Sequence, residues 1–352
     1  MSNSNLGNNR NTLLDIIKGL LIIGVVVGHC IQYGSGKVYL SNNLFFFNSI
    51  FKFIYSFHMP LFMLICGYLF SFSMRSRSWQ NNLLNRSKQL LLPIVTWGTI
   101  IFLTNIYIEN FIDDIPLCSI PSLLNKWFNT VIGSSLWFLW SVLYNTLIVI
   151  FINRCCRDSL WAYTLFFIVT FFIPNAGVYC FMYPYFVVGY IYGRDIKDSS
   201  LITKLLQHKR ALLLVTSVIY AAMLWRFEYS DYIYTTGHFI LNGCPIQQIG
   251  IDLFRLSMGF IGSLFIILLT NEIYHIVGCS TMILSFIGKK TMGIYIISSY
   301  LIGRVVSHIT ASLPDINYIY LILESFAVVG VCLLLTISIE RSKNARLLLL
   351  GQ

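Results

Sequence analysis

The groups best suited to chemistry are two histidines and a few charged residues near the start of the chain. Asp15, Lys18 and His29 share one apolar stretch, Asp15-Ile-Ile-Lys18-Gly-Leu-Leu-Ile-Ile-Gly24-Val-Val-Val-Gly28-His29. On a helix, Lys18 and His29 lie about 16 Å apart along the axis and within about 20° of one azimuth. Asp15 joins that stripe, so one face carries an ion pair toward one end and an imidazole toward the other. An imidazole titrates near pH 6.5, so it can take up and release a proton under physiological conditions (about 6.5). The second histidine, His58, falls at a similar depth in the next apolar run, beside Pro60. Pro60 frees the carbonyl of Ser56 and predicts a kink there.

These residues also have plain structural readings. Asp15 and Lys18 at i,i+3 suit a snorkelling interfacial pair. A membrane histidine can bond across helices as glue. Gly24 and Gly28 form a GxxxG pattern, which marks close helix packing and predicts a neighbour's backbone beside His29.

A second group is basic: Arg75, Arg77, Arg86 and Lys88, in the stretch leading to Pro93. Guanidinium forks match phosphate oxygens, so this stretch is a candidate phosphate site. Ordinary cytoplasmic loop charge explains it equally. No P-loop or dinucleotide-binding glycine pattern is present. Three further expectations concern deeper charges. Arg304 and Glu324 pair; Asp252 and Arg255 anchor at an interface or line a pocket; His308 is interfacial.

The elements that position these groups follow from composition. Of 352 residues, 57% are hydrophobic and 11% charged, and the mean hydropathy is +0.73. A soluble domain carries about 25% charge, so lipid must solvate most of this surface. Apolar runs at 13–33, 51–73, 89–108, 136–153, 159–173, 178–193, 211–226, 251–271, 291–309 and 317–339 predict an all-α bundle of about ten transmembrane helices. The 159–193 stretch is read as two thin spans or a re-entrant pair turning at Pro174-Asn175-Ala176-Gly177.

The net charge is +10. Its distribution is no basic patch with interleaved aromatics, which excludes nucleic acid as a partner. Lys18, Arg255 and Arg304 lie within spans, and Lys37, Lys52, Lys126 and Arg226 lie on one side. The other 17 of the 24 Lys and Arg residues fall in the opposite loops. The positive-inside rule then places both termini in the cytoplasm of a multi-pass cell (inner) membrane protein. No cleavable signal peptide or appended soluble domain is expected, so 1–352 reads as one membrane domain. The cysteines show no metal-ligand spacing. Cys155 and Cys156 are expected to be reduced, and Cys118 and Cys244 share the outer side, where a disulfide is possible by topology.

At these residues the chain resembles the bacterial membrane acyltransferase-3 family, the O-acyltransferases of cell-surface glycans. The family's basic residue, ten residues and then a histidine match Lys18 and His29. Phe57-His58-Met59-Pro60-Leu61-Phe62-Met63-Leu64-Ile65-Cys66-Gly67-Tyr68 is similar to its F-H-x-P-L-F-F-x-x-S-G-Y segment, with Cys66 replacing serine. The family's RxR corresponds to Arg75 and Arg77 or to Arg86 and Lys88. Trp137-Phe138-Leu139, Tyr183 to Tyr190, and Ile287 to Ile296 resemble later segments, with Thr291 for a serine and Ser298 where a histidine is common.

The resemblance implies transfer of an acyl group, acetyl first, from cytoplasmic acyl-CoA to a hydroxyl of a surface polysaccharide or glycolipid. It implies that Arg75, Arg77, Arg86 and Lys88 hold the CoA phosphates and that Asp15, Lys18, His29 and His58 form the catalytic face. His29 is then a general base or an acyl carrier, and His58 orients it or donates to the developing oxyanion. The alternative from another class is a polytopic exporter or flippase of a lipid-linked glycan. A protein of this fold that has lost its chemistry is a third. Inverted repeats and midplane charges would mark the exporter, and neither is seen.

Overall fold

Within a bilayer no water pairs with backbone N–H and C=O groups, so apolar segments satisfy them internally as helices. In a computed structural model all ten apolar runs are helical, and no strand occurs among the described residues. Those residues are 11–111, 119–133, 136–195, 208–241, 244–277, 281–312 and 317–352. Arg10, Cys118, Ser135, Lys197 and Lys204 lie outside them, and with Cys118 the disulfide to Cys244.

The helices are α1 (Thr12–Tyr33), α2 (Lys37–Ser41), α3 (Ser49–Tyr55), α4 (His58–Ser76), α5 (Trp79–Phe111), α6 (Ile120–Ile132), α7 (Trp137–Cys155) and α8 (Leu160–Thr170). They continue with α9 (Gly177–Asp195), α10 (Lys209–Arg226), α11 (Ile233–Thr236), α12 (Pro245–Val277), α13 (Met282–Lys289), α14 (Thr291–Leu301), α15 (Tyr318–Glu340) and α16 (Lys343–Leu350). Side chains of Asn11, Asn48 and Asn317 accept from the free N–H groups that open α1, α3 and α15, the usual N-cap role of asparagine.

Among the described residues, seven spans are long and apolar enough to cross a membrane: α1, α3 with α4, α5, α7, α12, α14 continued to Ile309, and α15. The other three expected spans differ. Helix α8 has 11 residues, about 16 Å against a hydrocarbon core of about 30 Å. Helix α9 contains Pro184 and is dense in tyrosine. Helix α10 carries Lys209, Arg210 and Arg226 at its ends.

Lipid offers helices no hydrophobic reason to associate, so small residues that admit close backbones set the contacts. Helix α1 packs on α13, with Gly19 against the Leu284 carbonyl and Gly288 against the Asp15 carbonyl. Helices α4 and α9 meet the same way, through Gly67 on the Phe186 carbonyl and Gly189 on the Leu64 carbonyl. The Gly24–Gly28 pattern does something else. A Cβ on Gly28 would fall 2.6 Å from Cε2 of Tyr55, so this glycine seats a ring rather than a backbone beside His29. Leu214, Val218, Ile276, Phe326 and Leu334 point outward, as lipid contact requires.

Three local departures shape the site. The second span is broken at Ser56–Phe57, with His58 opening α4. Pro60 in the first turn supplies no N–H to Ser56, and the helix restarts through Leu61 N–H donating to the Phe57 carbonyl at 2.9 Å. Arg86 and Lys88, expected in a loop, lie two turns into α5, which runs unbroken through Pro93. After α14 the helix widens into a π-helical turn, Ile302–Val306.

Candidate active site

Asp15 and Lys18 form the expected ion pair at 2.7 Å, with the carboxylate buried and the ammonium half-buried. Eleven residues further along α1, His29 opens into a cavity of about 610 Å³. Tyr33, Tyr55, Trp137, Tyr234 and Tyr300 wall it with aromatic faces, and Gln32, Asn105, Thr130 and Ser299 add neutral polar groups. That combination, an apolar concavity with a few placed polar groups, is the usual form of a small-ligand site.

His58 is buried and does not line this cavity. It sits behind Tyr55, ring centroids 4.7 Å apart, within electrostatic range of His29. Its Nδ1 is 2.7 Å from the Ile54 carbonyl oxygen. A carbonyl only accepts, so Nδ1 is the donor and the neutral ring keeps its lone pair on Nε2. The helix break supplies this carbonyl.

Where α4 ends and α5 begins, the basic residues separate into two roles. Arg77 and Arg86 line a second cavity of about 310 Å³ with Ser73, Ser76, Asn85 and Gln89. Fully buried Asn82 shapes its rim, donating to the carbonyls of Ser73, Arg77 and Ser78 and accepting from the Ser73 hydroxyl. The Arg86 guanidinium also lies 5.5 Å from the Phe70 ring centre. Arg75 is directed elsewhere. It donates to the carbonyls of Gly193, at 2.9 Å, and Arg194, closing the C-terminal end of α9. Lys88 is exposed and outside the cavity lining. One arginine from each candidate pair therefore forms the cavity. Lys18 and Arg86 both lie within electrostatic range of Cys66, which links the α1 stripe to this basic end.

The Arg304–Glu324 pairing differs from expectation, and Arg255 follows the second of the two readings open to it, lining a pocket. Arg304 donates to Asn105 rather than to Glu324. The carboxylate of Glu324 is shielded, without a hydrogen-bond partner, against Gly34. Asp252 and Arg255 are buried, not interfacial, and pair at 2.9 Å. Arg255 also lines a cavity of about 30 Å³ with Tyr55, Ser56, Tyr234 and Asp231. Burial in that turn pushes the Asp231 carboxyl above the usual carboxylate range, against the Glu228 N–H and two arginines that favour its charge. His308 is exposed at its helix end, as expected. Ser298 is buried and bonds within its own helix, while Ser299 beside it lines the large cavity.

Sequence reasoning missed His238. Its Nδ1 lies 3.2 Å from Asp252 and its Nε2 3.3 Å from the Thr170 hydroxyl, an arrangement that mimics a nucleophile–imidazole–carboxylate chain. The Thr170 hydroxyl donates instead to the Phe167 carbonyl at 2.6 Å, and all three residues are buried. Gln248 joins Asp252 to the Gly237 carbonyl. The cluster ties α8, the turn before His238 and α12 together. The sequence signal for it was the Asp252/Arg255 i,i+3 pair in an apolar run, which needs a buried partner set.

Among known proteins, the chain is 31% identical over 193 residues to "Nodulation protein NolL" of Mesorhizobium japonicum, covering 54% of this chain and 49% of that protein. It is 30% identical over 210 residues to "Nodulation protein NolL" of Sinorhizobium fredii, covering 58% and 54%. The chain thus spans about half the length of the curated relatives it matches. No solved structure matches. The family described as "Acyltransferase domain" matches residues 11–341, a range that includes the α1 stripe, both arginines of the basic cavity and the large cavity around His29. The chain belongs to this acyltransferase-3 family.

Proposed function

We propose that the protein is a cell-membrane O-acyltransferase that moves an acyl group, acetyl first, from cytoplasmic acyl-CoA to a hydroxyl of a surface polysaccharide or glycolipid. The observation that carries this reading is a pair of separate cavities, one where α4 ends and α5 begins and one at the C-terminal end of α1. One is lined by Arg77 and Arg86, the other by His29. With both termini in the cytoplasm, the basic cavity faces the acyl-CoA pool and the larger one faces the outer side.

In this reading Arg77 and Arg86 hold the CoA phosphates. The acyl-bearing arm follows the Asp15–Lys18–His29 face of α1. His29 takes the proton of the acceptor hydroxyl as its oxygen attacks the thioester carbonyl. The C–S bond breaks, the ester C–O bond forms, and the CoA sulfur leaves with a proton. His58 Nε2 steadies the reacting imidazole across Tyr55, and Arg75 and Lys88 have no contact with CoA. A step in which His29 carries the acyl group uses the same residue and cavity.

Inverted membrane vesicles, whose cytoplasmic face is outward, test the layout. Radiolabelled acetyl-CoA added outside should label glycan or glycolipid enclosed in the lumen, while right-side-out vesicles stay unlabelled. Equal labelling in both orientations rejects transfer across the membrane. Loss of all acyl-CoA-dependent labelling, with acetyl, longer and dicarboxylic donors alike, returns the exporter reading.

A further inference from the structure

Arg304 is a charged side chain that the acyl-transfer chemistry leaves unused. It sits in the wall of the His29 cavity. An arginine within a membrane span is costly and is kept where it meets a partner or a polar ligand. Its partner here, Asn105, is neutral, so the hydrogen bond holds the guanidinium in place without cancelling its charge.

No carboxylate among the described residues does so either. Among the described residues, the cavity lining contains no Asp or Glu. Glu109, one turn from Asn105 on α5, is already paired with Lys126. Glu324 is turned against Gly34, and Asp231 lines the separate small cavity beside Arg255. Among the described residues the cavity therefore holds one fixed positive charge, that of Arg304.

The backbone points to the same residue. Arg304 lies at the centre of the π-helical turn Ile302–Val306. Such turns interrupt helices frequently at functional sites. Here Ser299, Tyr300, Gly303 and Arg304 all reach one cavity from a single helix. The remaining walls, aromatic faces with amide and hydroxyl groups, suit the ring of a sugar.

We propose that Arg304, held by Asn105 in the wall of the His29 cavity, binds an anionic group of the acyl acceptor, a sugar carboxylate or phosphate. This rests on the acyl-transfer reading and makes Arg304 the residue that selects acidic over neutral acceptors.

The test uses the full chain purified in detergent, with methyl glucuronide, glucose 1-phosphate and methyl glucoside as probes of thermal unfolding. An anionic probe should stabilise the protein more than the neutral one. Arg304→Gln should lose that preference, with apparent affinity falling about tenfold, the scale of one charge-assisted contact. Arg304→Lys should keep part of it. Equal stabilisation by the neutral sugar, no stabilisation by either anionic probe, or an unchanged preference in Arg304→Gln overturns the assignment. A second arm measures acceptor-free thiol release from acetyl-CoA and succinyl-CoA, which Arg304→Gln should affect to the same extent for both donors. Loss confined to succinyl-CoA gives Arg304 to the acyl group and overturns the acceptor assignment. An anion preference without any thiol release by the wild type sinks the acyl-transfer reading and upholds anion binding at Arg304.

Discussion

His58 donates from Nδ1 to the carbonyl oxygen of Ile54, 2.7 Å away, across the break between α3 and α4. The bond ties the ring to the broken helix and fixes which ring nitrogen stays free, the one that the proposed chemistry uses. The two roles separate by substitution. His58→Asn keeps an N–H near the position of Nδ1 and has nothing in place of Nε2. Its unfolding temperature should stay close to wild type, while acyl transfer falls about a hundredfold, the scale of a misplaced catalytic group. His58→Ala should lose activity and also about 0.5–1.5 kcal/mol, the scale of one hydrogen bond, since the Ile54 carbonyl keeps the Phe57 N–H at 3.3 Å. Thermal unfolding and turnover measured on both variants check this; full activity in folded His58→Asn contradicts it.

The arginines should divide by function. Arg77→Gln and Arg86→Gln are each expected to raise the KM for acyl-CoA about tenfold or more, with little change in unfolding temperature. Arg75→Gln should do the reverse, costing about 1 kcal/mol of stability with KM unchanged, because it removes the donor to the last carbonyls of α9. A KM effect in Arg75→Gln equal to that of Arg86→Gln would reassign the phosphate site.

Helix contact through glycine predicts where a single methyl group is tolerated. Gly288→Ala and Gly67→Ala put a Cβ into the carbonyls of Asp15 and Phe186, and each should cost at least about 1–3 kcal/mol. Gly330→Ala on α15 meets nothing within 4 Å and should be neutral or stabilising by about 0.5–1 kcal/mol. Unfolding of the three proteins in one detergent reads the difference.

The His238–Asp252–Arg255 cluster is a structural tie. Asp252→Asn leaves Arg255 charged and buried, and should destabilise by about 3–5 kcal/mol. Turnover per folded molecule, corrected by the folded fraction, should not change. A drop in that quantity would place the cluster in the reaction.

What the sequence made legible was local. Period and charge located α1, the stripe that joins Asp15, Lys18 and His29, and the helices themselves, because a bilayer leaves apolar segments no other way to pair their backbones. Long-range placement was hidden. Arg75 and Arg86 look alike in one dimension, and only the docking of α9 takes Arg75 for its C-terminal end. Arg304 and Glu324 share a depth, yet the π-helical turn and α5 give Arg304 to Asn105. His238 sits in a short connection with no periodicity to mark it. Its partners Thr170 and Asp252 come from helices the sequence did not bring together.

The central claim is that chemistry occurs at His29. Purified wild-type protein and His29→Ala would be compared for transfer of label from radiolabelled acetyl-CoA to glycan acceptor, with membrane insertion and unfolding temperature followed alongside. The wild type should transfer label, and His29→Ala should be inserted, folded and inactive. Wild-type transfer by folded His29→Ala protein would contradict the account.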